Sequence, residues 1–259
     1  MVTLKSKEEV ETMAEGGKRL ARVLAAVASR VKQGIKTAEL DEAAFDLIKK
    51  EGCAPAFLGY TPGGAAKPYP ATLCVSVNEC VVHGIPSQYK VRDGDIVKLD
   101  LGLIFEGLYL DSAVSIGVGS VVPQAMSLLA AAEEALRRGI EKARVGNTLG
   151  DIGWAIQQCV EGAGFAVADL LTGHGIGRRL HEDPYVYNKG ERGEGMALVE
   201  GMVIAIEPMV AAGSGRVKQL ADDSFATADG SLSAHFEHTV AITKEGPRVL
   251  TAIAERMKN

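Results

Sequence analysis

The chain is short of the features that would take it out of the ordinary class of globular proteins. Only four of its 259 residues are cysteine (Cys53, Cys74, Cys80 and Cys159), and none stands in a C-x-x-C pair. A structural zinc ribbon and a disulfide framework are therefore not indicated, and reduced thiols in a cytoplasm are expected. No apolar run reaches membrane-spanning length. The first residues, "MVTLKSKEEVETMAEGG", are charged and amphipathic where a signal peptide would show an apolar core. A soluble, unexported protein with no membrane partner is the expectation. Positive charge is not in excess either, with a net charge of -5 and a pI near 5.6. That balance argues against direct nucleic-acid specificity, leaving Arg137, Arg138, Lys142 and Arg144 as a local basic cluster that could offer a contact face. Aromatic residues make up 5%, and the single tryptophan, Trp154, lies in a helical pattern and is expected in the core.

What is present is a large apolar fraction, 47%, enough to bury a full core as one large domain or as two fused halves. Residues 7 to about 33 carry apolar side chains three and four apart (Val10, Met13, Leu20, Val23, Leu24, Val27, Val31), the period of a helix with one buried face. Thr37 is expected to cap a second helix through Lys50, stopped by Gly52. Between Val91 and Gly119 the period changes to two, which predicts strand turning near Glu106 and Gly107. Helices from about Pro123 to Lys142 and from Thr148 to Glu161 follow.

The second pair of helices echoes the first. "GIKTAELDEAAFDLIKKEG" from Gly34 and "GNTLGDIGWAIQQCVEG" from Gly146 both read glycine, threonine, an early aspartate, helix, then Glu-Gly. The spacing is too long for a solenoid, and two related halves account for it. Late strands around "GMVIAIEPMV" and "AHFEHTVAIT" complete an alternation of helices and antiparallel hairpins, an α+β pattern.

The hairpin "DIVKLDLGLIFEGLYLDSAVS" carries Asp100 and Asp111. If Glu106 and Gly107 form a two-residue turn, Gly102 pairs with Asp111, and the two aspartates lie on one face, roughly 7 Å apart on a diagonal. A three-residue loop would put them on opposite faces. On one face, two carboxylates repel unless a cation sits between them or they share a proton; a solvated strand face is the plain alternative. Glu207 ends the apolar strand "MVIAIEP", and Glu237 lies in "AHFEHTVAI" between His235 and His238. Carboxylates in apolar strands are costly to bury unless paired or metal-bound. With His174 the four acids form a mixed oxygen and nitrogen ligand set, suited to manganese, iron, cobalt or zinc rather than calcium. His238 alternates away from Glu237 and reads as a core or supporting group, whereas His235 shares the face of Glu237 and is either a further ligand or a residue that merely lines it.

The stretch "LTGHGIGRRLHEDP" (171–184) first suggests a phosphate cradle. No helix start or P-loop lysine supports that reading, and its glycines fit better as room for close backbone approach. His174 and His181 are seven apart, an odd number that sends them to opposite faces of a strand unless the chain bends between them.

In order, "SVNECVVHGIP", "DGDIVKLDLGL", "YLDSAVS", "GHGIGRRLHEDP", "GMVIAIEPM" and "SLSAHFEHT" resemble the motifs of type I methionine aminopeptidase, over nearly the whole chain. The resemblance implies the pita-bread fold, with a pseudo-twofold repeat in a single catalytic domain (1–259) whose halves are about 1–120 and 121–259. It implies metal ligation by Asp100, Asp111, His174, Glu207 and Glu237, with Asp111 and Glu237 bridging two divalent ions (cobalt, manganese, iron or zinc). The activity implied is hydrolysis of the first peptide bond of peptides and nascent chains that begin with methionine, by water activated on the two ions, with a small second residue preferred. Glu207 would move the proton, and His83 and His181 would contact substrate and the tetrahedral intermediate. Cys74, Tyr60 and Tyr69 would line the methionine slot. A cytoplasmic monomer in transient contact with the ribosome would fit that activity.

Three departures bear on the slot. The segment "GYTPGGAAKPYPATLC" is longer than usual, Leu180 replaces a common aromatic residue, and the tryptophan some members carry before the last glutamate motif is missing. Two other readings are weaker. An Xaa-Pro aminopeptidase of this fold would carry a large additional N-terminal domain, and a non-catalytic binding module would have lost ligands that are all retained here. The short distance from His174 to Glu207 disfavours a type II enzyme.

Overall fold

The computed structural model describes residues 2–61 and 67–252. Helices α1 (Lys7–Ala28), α2 (Thr37–Lys50), α3 (Pro123–Lys142) and α4 (Leu149–Gly162) alternate in blocks with strands. The strands before α3 are β1 (Ala54–Pro55), β2 (Leu73–Val77), β3 (Cys80–Val82), β4 (Ile96–Phe105) and β5 (Leu108–Gly117). After α4 come β6 (Ala166–Val167), β7 (Thr172–Gly175), β8 (Glu182–Tyr187), β9 (Val203–Ile206), β10 (Met209–Ala211), β11 (Val217–Gln219), β12 (Phe225–Thr227), β13 (Ser233–His235), β14 (His238–Thr243) and β15 (Gly246–Val249).

Helix ends follow local chemistry where the local chemistry is free to act. Ser6 and Glu9 form a reciprocal capping box at the start of α1, and Thr148 and Asp151 form another at α4. Thr37 is not a cap. It is the first residue of α2, and its hydroxyl bonds the backbone of Ser87. The free N–H groups of Thr37 and Ala38 reach the carbonyls of Tyr89 and Ser87, so the neighbouring chain replaces the side-chain cap. Helix α1 stops at Ala28, short of the end its apolar spacing suggests, because Arg30 and Val31 take tighter bonds to Val27 and Ala28. Val31 still packs on the core.

Strand β4 is the spine of the first block. It pairs antiparallel with β5 along one edge, and with β1 and β2 along the other. The β4–β5 connection is the two-residue turn, with φ of 48° at Glu106 and 78° at Gly107 and Phe105 opposite Leu108. Positive φ at both positions is the geometry whose twist suits a hairpin. Helices α1 and α2 bury Met13, Leu20, Val27, Leu40 and Ile48 against Leu99, Leu101 and Leu103. In the second block α3 and α4 lie on a five-stranded sheet ordered β15-β14-β9-β7-β8, with Leu128, Ile152, Ile156, Ile204, Ile206 and Val240 in its core.

A seam joins the blocks. Strand β5 runs beside the β13–β14 junction, and hydroxyls supply much of the bonding a regular ladder would. Ser112 Oγ donates to Glu237 O at 2.8 Å, and Ser115 Oγ donates to His235 O at 2.7 Å while accepting from His235 N at 2.8 Å. Thr239 Oγ1 donates to Asp111 O and accepts from Asp111 N, at 2.8 and 3.0 Å. Glu237 N also donates to Ala113 O at 3.0 Å.

Two surface expectations change. Trp154 is half-buried rather than core, with the Arg192 guanidinium 3.6 Å over its ring. Half of the basic cluster is neutralised within α3, since Arg137 pairs with Glu134 and Glu141, and Arg138 with Glu134. No described helix is long and apolar enough to cross a membrane.

Candidate active site and metal centre

The hairpin register puts Gly102 opposite Asp111 and Asp100 opposite Ala113, so the two aspartates share a face. That face is not solvated: Asp100 is 9% and Asp111 4% exposed, because the seam covers it while the helices cover the other. Their neighbour on the face, Lys98, is buried as well. Its ammonium donates to Asn78 O (2.7 Å), Ser233 O (3.1 Å) and Ser233 Oγ (3.1 Å), tying β4 to the start of β13, and burial pulls its pKa down to about 7.

Facing the hairpin, Glu207 follows the end of β9, His174 lies on β7, and His235 and Glu237 come from β13 and the residues after it. Asn188 Nδ2 holds the Glu207 carbonyl at 3.0 Å. His174 Nδ1 lies 2.9 Å from Gly175 O. A carbonyl only accepts, so Nδ1 carries the proton and Nε2 keeps its lone pair for the cleft. His174 Nε2 is 3.6 Å from Glu207 Oε1, and His235 Nε2 is 3.3 Å from Glu207 Oε2. Strand β7 comes this close because Gly173 has no side chain: a Cβ there would lie 2.3 Å from Ala205 O on β9.

Ligand atoms of Asp111, His174 and Glu237 lie within 4.8 Å of one another, as do those of Glu207, His235 and Glu237. Asp100 adjoins through Asp111. The structure thus gathers all five ligands of the resemblance and adds His235, which the sequence left ambiguous. His238 points elsewhere, its Nδ1 2.9 Å from Thr251 Oγ1.

Burial is the first cause of the electrostatics here. It pushes Asp100 up to about 6 and Glu207 up to about 7, and with the neighbouring carboxylates it drives Asp111 and Glu237 well above the usual range. Burial likewise pulls His235 down to about 4. Among the described residues, Asp100 Oδ1, Asp111 Oδ1, Glu237 Oε1 and both ring nitrogens of His235 are buried without a hydrogen-bond partner. Four acids and two imidazoles with unused lone pairs converging on one space fit divalent cations, which favour the deprotonated forms of all six.

At the cleft rim His83 and His181 reach solvent. Crowding by protein atoms and by neighbouring imidazoles holds both below the usual histidine range. His181 packs edge-on to His174 with ring centroids 4.3 Å apart, and Tyr60 Oη lies 2.6 Å from His181 Nδ1. The chain bends between the two histidines, where the β7–β8 register shifts after His174. His83 is edge-on to Phe225, at 5.9 Å between centroids, in a left-handed conformation with φ of 61°.

Of the slot residues, Cys74 is buried opposite Asp100 on β2. Tyr69 is half-buried, its hydroxyl donating to Gly84 O at 2.9 Å. Leu180 is buried in the apolar cluster that also holds Cys74. Part of the long segment before Cys74, residues 62–66, lies outside the described residues. Lys98, Asn188 and the seam hydroxyls were not foreseen, since their partners lie far away in sequence; the polar Lys98 inside an apolar strand was the one available signal.

The chain is similar to known proteins over nearly its whole length. The sequence pattern of metallopeptidase family M24 matches residues 11–244. A methionine aminopeptidase of Clostridium perfringens is 47% identical over 254 residues, covering 98% of this chain and 100% of that protein. Methionine aminopeptidase 1 of Bacillus subtilis is 42% identical, with 98% and 100% covered. The solved methionine aminopeptidase of Thermotoga maritima superposes with a TM-score of 0.93 at 41% identity, over 98% of this chain and 100% of that one. A prolidase from Pyrococcus furiosus shares the fold at a TM-score of 0.76 and 24% identity, over 96% of this chain and 65% of its own.

Proposed function

The chain belongs to metallopeptidase family M24, with the type I methionine aminopeptidases, as a metal-dependent hydrolase that removes N-terminal methionine; on that premise we propose that its centre takes two divalent ions, with Asp111 and Glu237 between them. Asp100 would complete one end, and His174 and Glu207 the other. Cobalt, manganese, iron or zinc suits such a donor set. His235, against Glu207, would steady that carboxylate. The observation that carries this reading is the convergence of four buried carboxylates, of which Asp100, Asp111 and Glu237 each keep an oxygen without a hydrogen-bond partner among the described residues.

Bound ions would lower the pKa of a water and polarise the scissile carbonyl. The chain's own groups do the rest. Glu207 would take the water proton and return it to the leaving amine. Tyr60 Oη donating to His181 Nδ1 would leave the His181 Nε2 proton aimed at the cleft, where it meets the developing charge on the carbonyl oxygen. His83 on the opposite rim would orient the peptide. Cys74, Tyr60 and Tyr69 would form the methionine slot, and the crowded rim would favour a small second residue. All these groups come from one chain, which fits action as a monomer. The four free thiols fit the cytoplasm, where nascent chains are met at the ribosome.

The test is methionine release from Met-Ala-Ser and Met-Leu-Ser, before chelation, after it and after metal is restored. Release should vanish with chelation and return with metal, faster for Met-Ala-Ser. No metal-dependent release from either peptide would overturn the reading, and equal rates would overturn the second-residue preference. Calorimetric titration of the chelated protein should give two metal equivalents.

A further inference from the structure

The loop that carries His181 rests on a buried ion pair, and the site as described makes no use of it. Lys5, from the segment before α1, reaches beneath the loop and donates to Glu182 Oε2 at 2.6 Å, the two side chains being 1% and 2% exposed. The other oxygen, Glu182 Oε1, accepts the backbone N–H groups of Arg178 (2.7 Å) and Arg179 (2.9 Å). One carboxylate therefore closes the loop 178–182 into a tight turn, and Lys5 supplies its counter-charge. Gly177 makes space for the lysine stem, since a Cβ there would lie 2.1 Å from Lys5 Cε. Lys5 is itself held in register by its N–H, which donates to Gly201 O at 2.8 Å, and Gly177 O accepts from Tyr109 N on β5 at 2.7 Å. His181 is the residue next to Glu182, at the end of this braced turn.

We propose that Lys5 is a positioning residue for His181. Through Glu182 it sets the turn that aims the imidazole at the cleft, between Tyr60 and His174. This rests on the reading of His181 as the group that meets the scissile carbonyl. Without the ammonium the Glu182 carboxylate is left buried and unpaired, and a buried charge in that state moves toward water or takes up a proton. Either response slackens the two bonds to Arg178 and Arg179. A displacement of about 1 Å in a catalytic group costs on the order of a hundredfold in rate. Of the proposed metal ligands His174 lies nearest, on β7, where Gly175 pairs with Glu182, and Asp100, Asp111, Glu207 and Glu237 lie outside the turn.

The experiment is a double-mutant cycle with Lys5→Met and His181→Ala, assayed on Met-Ala-Ser with metal restored. Lys5→Met alone should lower kcat by about 10-fold to 100-fold with KM and metal affinity close to wild type. In the His181→Ala background it should cost less than about twofold, because what it positions is gone. In metal-free protein the imidazole nitrogen NMR shifts of His181 should change on Lys5→Met while those of His238 stay. If Lys5→Met fails to fold, Glu182→Gln enters the same cycle, since Gln offers one acceptor oxygen where Lys5 and the two turn N–H groups engage two, and the turn should slacken. Equal cost in both backgrounds, or no cost in either, overturns the proposal and leaves the reading of His181 standing. If His181→Ala alone leaves kcat/KM unchanged, that reading falls and the proposal falls with it.

Discussion

Glu182 and Glu237 are both nearly withdrawn from water, at 7% and 2% exposure, one beneath the rim loop and the other at the seam. Glu182 meets an ammonium and two backbone donors. Glu237 meets Asp111, Glu207 and two imidazoles, and one of its oxygens has no donor. Burial desolvates both. The first is satisfied by the chain itself, which makes it a brace; the second keeps an oxygen that the chain leaves without a donor, and on the proposed reading cations satisfy it. Compensation, rather than burial, separates the two.

The strongest way to break this contrast is Asp111→Asn. It should take turnover below detection and remove metal binding, measured by titration, yet raise the thermal midpoint of the metal-free protein by relieving repulsion among the acids. A variant that kept metal and activity would refute the bridging role. Glu207→Gln should reduce kcat by about 10²-fold to 10⁴-fold, the range of a lost general base, and metal affinity should fall as well.

Glu182→Gln sharpens the contrast from the other side. It should destabilise both the metal-free and the metal-loaded protein by about 3–5 kcal/mol in denaturant unfolding, because Lys5 is left buried without a counter-ion, its ammonium keeping the Thr3 carbonyl. Acidity separates the regions too. Asp100 and Glu207 have folded pKa values near 6 and 7, above the unfolded carboxylate values of about 4, so the folded metal-free state binds more protons across that window. Its stability should be greatest below about pH 4 as far as these groups are concerned, and should decline as pH rises toward 7. Metal should flatten or reverse that slope. The smallest effect belongs to the exposed pairs of α3: Glu134→Ala should leave turnover and the thermal midpoint near wild type.

Local signals were legible and distant partners were not. The strand period places a turn near Glu106 and Gly107, but only the register, Phe105 opposite Leu108, makes it the two-residue turn and so puts Asp100 and Asp111 on one face. Thr148 caps α4 as its sequence suggests, because Asp151 is three residues on. Thr37 has Leu40 at that spacing and is not a cap, and its hydroxyl bonds instead to the backbone of Ser87, 50 residues away. The Lys5 and Glu182 partnership spans 177 residues, and nothing local in either stretch announces it. His235 was ambiguous for a related reason: sharing a face with Glu237 says nothing about what stands opposite, and that is Glu207, just past the end of β9.

The hydroxyl bonds from Ser112, Ser115 and Thr239 also bear on how the cleft can breathe. They clamp the backbone of Asp111, His235 and Glu237 in both directions across β5 and β14, where a hinge would otherwise be convenient. Opening there would shear the ligands apart. Entry of a peptide and release of methionine therefore fall to the rim, and the amides along the seam should be among the last in the molecule to exchange with solvent.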